Sequence, residues 1–111
     1  MQFQIGEPIP IGVFRASNNG SPQNNQATSV NVFNLETGLL ELSAQPLSQA
    51  QSFGFYRFVW SPNFTTPKTL LAVIYSGTDT SGTILTSYLI RVVDNVKLLT
   101  DTIDLSDGRA I

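Results

Sequence analysis

Between Ser52 and Pro62 the chain reads SFGFYRFVWSP, five aromatic side chains in eleven residues, with apolar groups at both parities of an extended chain. Successive side chains on a strand point to opposite faces, so a strand with only one face on a core alternates apolar and polar. This one does not alternate, which predicts a β-domain with something packed on its outside. With Tyr56, Phe58 and Trp60 inward, Phe53, Phe55 and Val59 point outward beside Arg57. The last strand repeats the pattern: Ile84, Tyr88, Ile90 and Val92 share one parity, and Leu85, Leu89 and Val93 the other. Val30 and Val32 are likewise opposed by Phe33 and Leu35. Outward apolar residues collected from several strands mark a subunit interface. A bulge that flips parity midway along a strand, or loops laid over the second face, would give the same pattern.

The remaining β-branched and aromatic runs are short and separated by turn residues, the rhythm of a sandwich or barrel rather than of βαβ units. Residues 1–10 read as an extended lead-in, because Pro8 and Pro10 fix φ and cannot donate to an inner ladder. Strands are expected over Ile11 to Ala16, Ser29 to Leu35 and Leu39 to Ser43, the last two as a hairpin through Glu36-Thr37-Gly38. Residues 17–29 form a polar loop whose Asn19-Gly20 suits positive φ, and residues 44–51 a polar connection with room for one helical turn. The aromatic strand follows, then a turn using Pro62 and Pro67. Residues 69–76, nearly all apolar, make a central strand; residues 77–82 turn the chain into a long last strand. The segment 100–111 is a tail or a short edge strand. The expected architecture is all-β: one antiparallel β-sandwich of about seven strands, spanning residues 1–111 as a single domain.

Composition limits the chemistry. The 111 residues are 41% hydrophobic and only 13% charged, with six basic and eight acidic side chains, so no basic footprint for nucleic acid exists. Without cysteine there is no disulfide, thiolate nucleophile or thiolate metal site, and without histidine no imidazole base or ligand. The carboxylates Glu36, Glu41, Asp79, Asp94, Asp101, Asp104 and Asp107 form no arrangement that defines a cleft. The chain therefore reads as non-enzymatic, with no cofactor and no metal. Asp101, Asp104 and Asp107 before Gly108 lack the spacing and closing Glu of an EF-hand, and read as a solvated acidic tail. Asp79-Thr80-Ser81-Gly82 reads as a turn rather than an aspartic-protease loop, and Asn63-Phe64-Thr65 is a formal glycosylation sequon. No run approaches the length of a membrane helix, and residues 1–14 lack the basic and apolar regions of a signal peptide.

Three blocks carry a family resemblance. They are FRASNNGSPQNNQATSVNVFNLETG with Asn19, Gly20, Pro22, Val30 and Val32; GFYRFVWSP with Gly54, Tyr56, Phe58, Trp60 and Pro62; and TLLAVIYSGTD with Leu71, Val73 and Tyr75. Over residues 11–93 their order resembles the Ig-like or prealbumin-like β-sandwich modules of bacteriophage virion proteins. Pro67-Lys68-Thr69 stands where those modules usually carry a glycine-flanked Tyr. The resemblance implies a virion protein, made in the host cytoplasm without a signal peptide, serving in capsid decoration, neck or tail. Its partners would be copies of itself or a capsid or tail protein, making it a homo-oligomer or part of a larger assembly. The residues that parity nominates for such docking are Phe33, Phe55, Val59, Leu85 and Leu89 on one outward sheet face, with Arg57 and Arg91 at its rim. The rival reading is a carbohydrate-binding or adhesion module, with Trp60, Tyr56 and Phe55 as a stacking platform and the 17–29 and 77–82 loops as hydrogen-bonding partners. Against it stands the ordinary fate of a mid-domain Trp, burial in the core.

Overall fold

The computed structural model describes residues 1–50, 53–78 and 81–94, and those residues form eight strands and no helix. In chain order they are β1 (Gln2–Gln4), β2 (Ile9–Phe14), β3 (Thr28–Asn34), β4 (Leu40–Pro46), β5 (Ser48–Gln49), β6 (Phe55–Trp60), β7 (Lys68–Ser76) and β8 (Ile84–Val93). One sheet has five strands in the order β1-β8-β7-β3-β4; the other has three, β2-β6-β5. The inner faces meet in one core built from both sheets: Ile9, Ile11, Tyr56 and Trp60 from the smaller, and Val30, Val32, Leu70, Ala72, Ile74, Ile90 and Val92 from the larger. Each fully buried Val, Leu or Ile side chain among these contributes roughly 1.5–3 kcal/mol by leaving water. The aromatic strand behaves as its parity predicts. Tyr56 and Trp60 are buried and Phe58 packs on the core, while Phe53, Arg57 and Val59 face out.

The architecture is sandwich-like, and it departs from the expected one at three places. First, the lead-in contains β1, which pairs parallel with β8 through Gln2 to Arg91 and Gln4 to Val93, so the larger sheet is mixed rather than antiparallel throughout. With the two-residue β5 in the connection at 44–51 as well, the described residues form eight strands where about seven were expected. A three-residue strand that draws its partner from the far end of the chain leaves no periodic signal. Second, the chain after Ser43 does not coil into a helical turn. Ala44 takes φ 47° and its amide donates to Oδ1 of buried Asn31 at 2.6 Å, so the strand bulges and runs on to Pro46. Third, Pro10 lies within β2, exposed on the edge strand of the smaller sheet, where a missing N–H costs nothing. The β3–β4 hairpin and the central position of β7 are as expected. The proposed tail at 100–111 lies outside the described residues.

One end of the sandwich is closed by the polar loop. The Tyr56 hydroxyl donates to the Gln23 carbonyl at 2.7 Å and accepts from the Gln26 amide at 3.0 Å. Arg15, directly after β2, crosses between the sheets, its guanidinium donating to the Ala27 carbonyl and the Thr28 and Ser76 hydroxyls at 2.9–3.0 Å. Asn24 Oδ1 accepts from the Gly54 amide at 2.9 Å. The loop composition that reads only as polar is thus a set of specific partners for the start of the aromatic strand.

Candidate assembly surfaces

Strand register assigns the outward face of the larger sheet row by row, since directly paired residues share a face. Phe33 pairs with Leu40 on one side and Leu71 on the other, and Leu71 pairs with Leu89. That row crosses four strands, Leu40–Phe33–Leu71–Leu89, and its two ends are open to solvent, Leu40 at 47% and Leu89 at 51% exposure. The next row is Asn31–Val73–Ser87 and the one beyond it Ser29–Tyr75–Ile84. Val73 and Tyr75 belong to these rows and not to the core cluster, yet they are largely covered. A register shift opposite Tyr75 makes Leu85 an extra residue. It turns Ile84, which shares parity with core residues Ile90 and Val92, out to solvent. The bulge and the outward face, alternatives in the sequence, therefore both occur: the bulge accounts for Ile84 and not for Leu89. Arg91, paired with Thr69 and Gln2, brings a positive charge to one end of the face.

The smaller sheet carries a second apolar site. Phe14 and Phe55 are paired across β2 and β6 and stack with centroids 4.7 Å apart at 29°. The Phe55 ring lies against Gly12, where a Cβ would sit 3.0 Å from its Cε1, so only glycine lets the ring settle over the strand. Phe14 remains 73% exposed above it. A shallow depression of about 300 Å³ beside the pair is bounded by Met1, Pro10, Val13 and Arg57. Val59 is exposed next to Pro10, its partner in β2.

The seven nominated residues are therefore divided between two opposite surfaces. Phe33, Leu85, Leu89 and Arg91 lie on the larger sheet, and Phe55, Arg57 and Val59 on the smaller. The single face expected from the sequence does not exist, because parity separates inside from outside but cannot say which sheet a strand joins. Leu40 and Leu71 complete the first surface and Phe14 and Gly12 the second. Their parity was readable, but their pairing needed the register.

Trp60 is buried in the core and meets Phe64 edge-on at 5.6 Å, with Lys68 Nζ 5.8 Å from the Phe64 ring centre. It presents no stacking platform, and the sequon residue Phe64 is occupied in packing on it. Among the described residues no three carboxylates gather into a metal-binding group. Asp79, Asp101, Asp104 and Asp107 lie outside them. Tyr88, on the inward side of β8, buries its hydroxyl without a hydrogen-bond partner, and burial raises its pKa, with the Gly12 backbone acting the other way. A raised phenol pKa means the folded state holds the proton more tightly than the unfolded one. Its contribution is complete below the unfolded value of about 10 and is lost as pH rises through the folded value. Tyr88→Phe is accordingly expected to flatten the alkaline limb of the stability curve above pH ~10 and to leave stability at neutral pH equal or slightly higher. Denaturant melts across the alkaline range check this, and an unchanged alkaline limb in the variant would remove Tyr88 as its source.

Compared with protein-family models, curated proteins and solved structures, the chain matches none.

Proposed function

We propose that this protein is a non-enzymatic structural component of a larger assembly, of the bacteriophage virion class, which docks through the outward face of its five-stranded sheet. The observation that carries this reading is the row Leu40–Phe33–Leu71–Leu89, an apolar strip four strands wide and open at both ends. Soluble chains seldom leave such strips to water unless a partner covers them. The virion assignment rests on the resemblance of the three sequence blocks described above. The partner on that face is a capsid or tail protein or further copies of the chain, and the mechanism is passive burial of apolar surface.

Leu40→Asp tests the reading, because Leu40 is on an edge strand, half-exposed and outside the core. The variant is expected to keep its circular dichroism and to lose less than about 1 kcal/mol of stability. It should also lose binding to the virion proteins encoded with it, measured by sedimentation of the mixed components. A wild type that binds none of those proteins and stays monomeric at every concentration would overturn the proposal.

A further inference from the structure

Among the described residues, the larger sheet ends on an edge that is only partly closed. β1 covers β8 at Arg91–Val93 alone, where the Arg91 amide donates to the Met1 carbonyl at 2.9 Å and the Val93 carbonyl accepts from Ile5 at 3.0 Å. From Ile84 to Ile90 the other side of β8 pairs with no strand among the described residues. Open strand edges are templates for pairing, and proteins usually blunt them with proline, charge, bulges or brevity. The other edges here are blunted in those ways: β4 carries bulges and Pro46, β2 carries Pro10, and β5 is two residues long. The β8 edge, ILTSYLI, has no proline and no charge along its length, and its bulge sits at one end only.

We infer that this edge pairs with the same edge of a second copy, antiparallel about a two-fold axis at Ser87, joining two five-stranded sheets side by side. This inference rests on the assembly reading above and names one partner for it, a second copy. Three features select that occupant and register. The open window runs from Ile84, the first residue of β8, to Ile90, beyond which Met1 already holds the Arg91 amide. Ser87 is its midpoint, so only a two-fold there uses the whole window. Backbone direction alternates along a strand, and since Arg91 and Val93 present their groups to the β1 side, Leu89 and Ser87 present theirs to the open edge. A two-fold at Ser87 sets Ser87 against its own copy and Leu85 against Leu89 on either side, matching exposed leucines with each other. Because the window carries no charge, two identical edges meet without repulsion.

The chain contains no cysteine, so Ser87→Cys places one thiol per copy at the proposed axis. Paired residues of a hydrogen-bonded antiparallel site have Cα atoms about 5.5 Å apart, within disulfide range. Mild oxidation of the full chain should convert Ser87→Cys to a covalent dimer, with Thr65→Cys, exposed in the connection between β6 and β7, cross-linking at least tenfold more slowly. Ser87→Pro removes an amide that no strand among the described residues uses, and should give a folded protein that sediments as a monomer where wild type is a dimer. Should Ser87→Pro fail to fold, Ser87→Lys, exposed and outside the apolar strip, sets two like charges against each other on the axis and serves the same purpose. Cross-linking of Ser87→Cys no faster than Thr65→Cys, or undiminished self-association in a folded edge variant, would overturn the pairing. If the edge variants keep the wild-type mass while Leu40→Asp dissociates it, the copies meet face to face: the edge inference falls and the assembly reading stands.

Discussion

Replacing Gly54 with alanine should come close to unfolding the protein. Gly54 opens β6 at φ 73°, and a Cβ placed on it would stand 2.4 Å from the Arg15 carbonyl oxygen and 3.1 Å from the Gln23 amide nitrogen. Both are backbone atoms, so no rotamer change relieves the overlap. Those same atoms hold the end of the sandwich together: the Arg15 amide donates to the Gly54 carbonyl at 2.8 Å and the Gln23 amide to the Arg15 carbonyl at 2.9 Å. Alanine at positive φ costs about 1–2 kcal/mol by itself, and displacing the paired backbone adds the loss of buried hydrogen bonds at about 1–3 kcal/mol each. A total near 3–5 kcal/mol is a large share of the roughly 5–15 kcal/mol that holds an ordinary domain. Gly38→Ala separates the two causes, because Gly38 has φ 76° with nothing within 4 Å of the added methyl. Chemical denaturation of the pair should show the second variant losing only the strain. Equal losses would mean that the closeness of Arg15 and Gln23 has no energetic weight.

The other large effect belongs to Tyr56, whose ring is core and whose hydroxyl is the fixed point of the loop at residues 17–27. Tyr56→Ala removes a fully buried ring and is expected to cost about 3–5 kcal/mol. Tyr56→Phe keeps the ring and strands the Gln23 carbonyl and Gln26 amide, for about 1–3 kcal/mol. The Arg15 guanidinium, 6.0 Å from the ring centre, should hold its place in the Phe variant and lose its support in the Ala variant. Hydrogen exchange reads the difference. In Tyr56→Phe the Gln26 amide should exchange faster while the β7 amides stay protected; uniform acceleration across the sheet would show that the hydroxyl does not act locally.

These two residues mark how far the sequence could be read. The inward face of Tyr56, Phe58 and Trp60 follows from period-two alternation, and the β3–β4 hairpin and the central β7 from residue type. The positive φ of Gly54 does not, since Gly12 in β2 has none. What the Tyr56 hydroxyl binds does not follow, because its partners are main-chain groups of Gln23 and Gln26 that any sequence would possess. The outward surfaces were half legible for the same kind of reason. Leu89 and Val59 are evidently outward by alternation, but that they back onto opposite sheets depends on β6 pairing with β2 rather than with β7. Ile84 escapes its parity through a register slip that no local pattern announces.

The parallel contact between Gln2–Gln4 and Arg91–Val93 also dictates an order of events. Synthesised before residues 91–93, those residues wait until their partner exists, so this edge of the sheet can close only as a late, long-range step. Until then β1 leaves its stretch of the β8 margin uncovered, and a neighbouring nascent chain can compete for it.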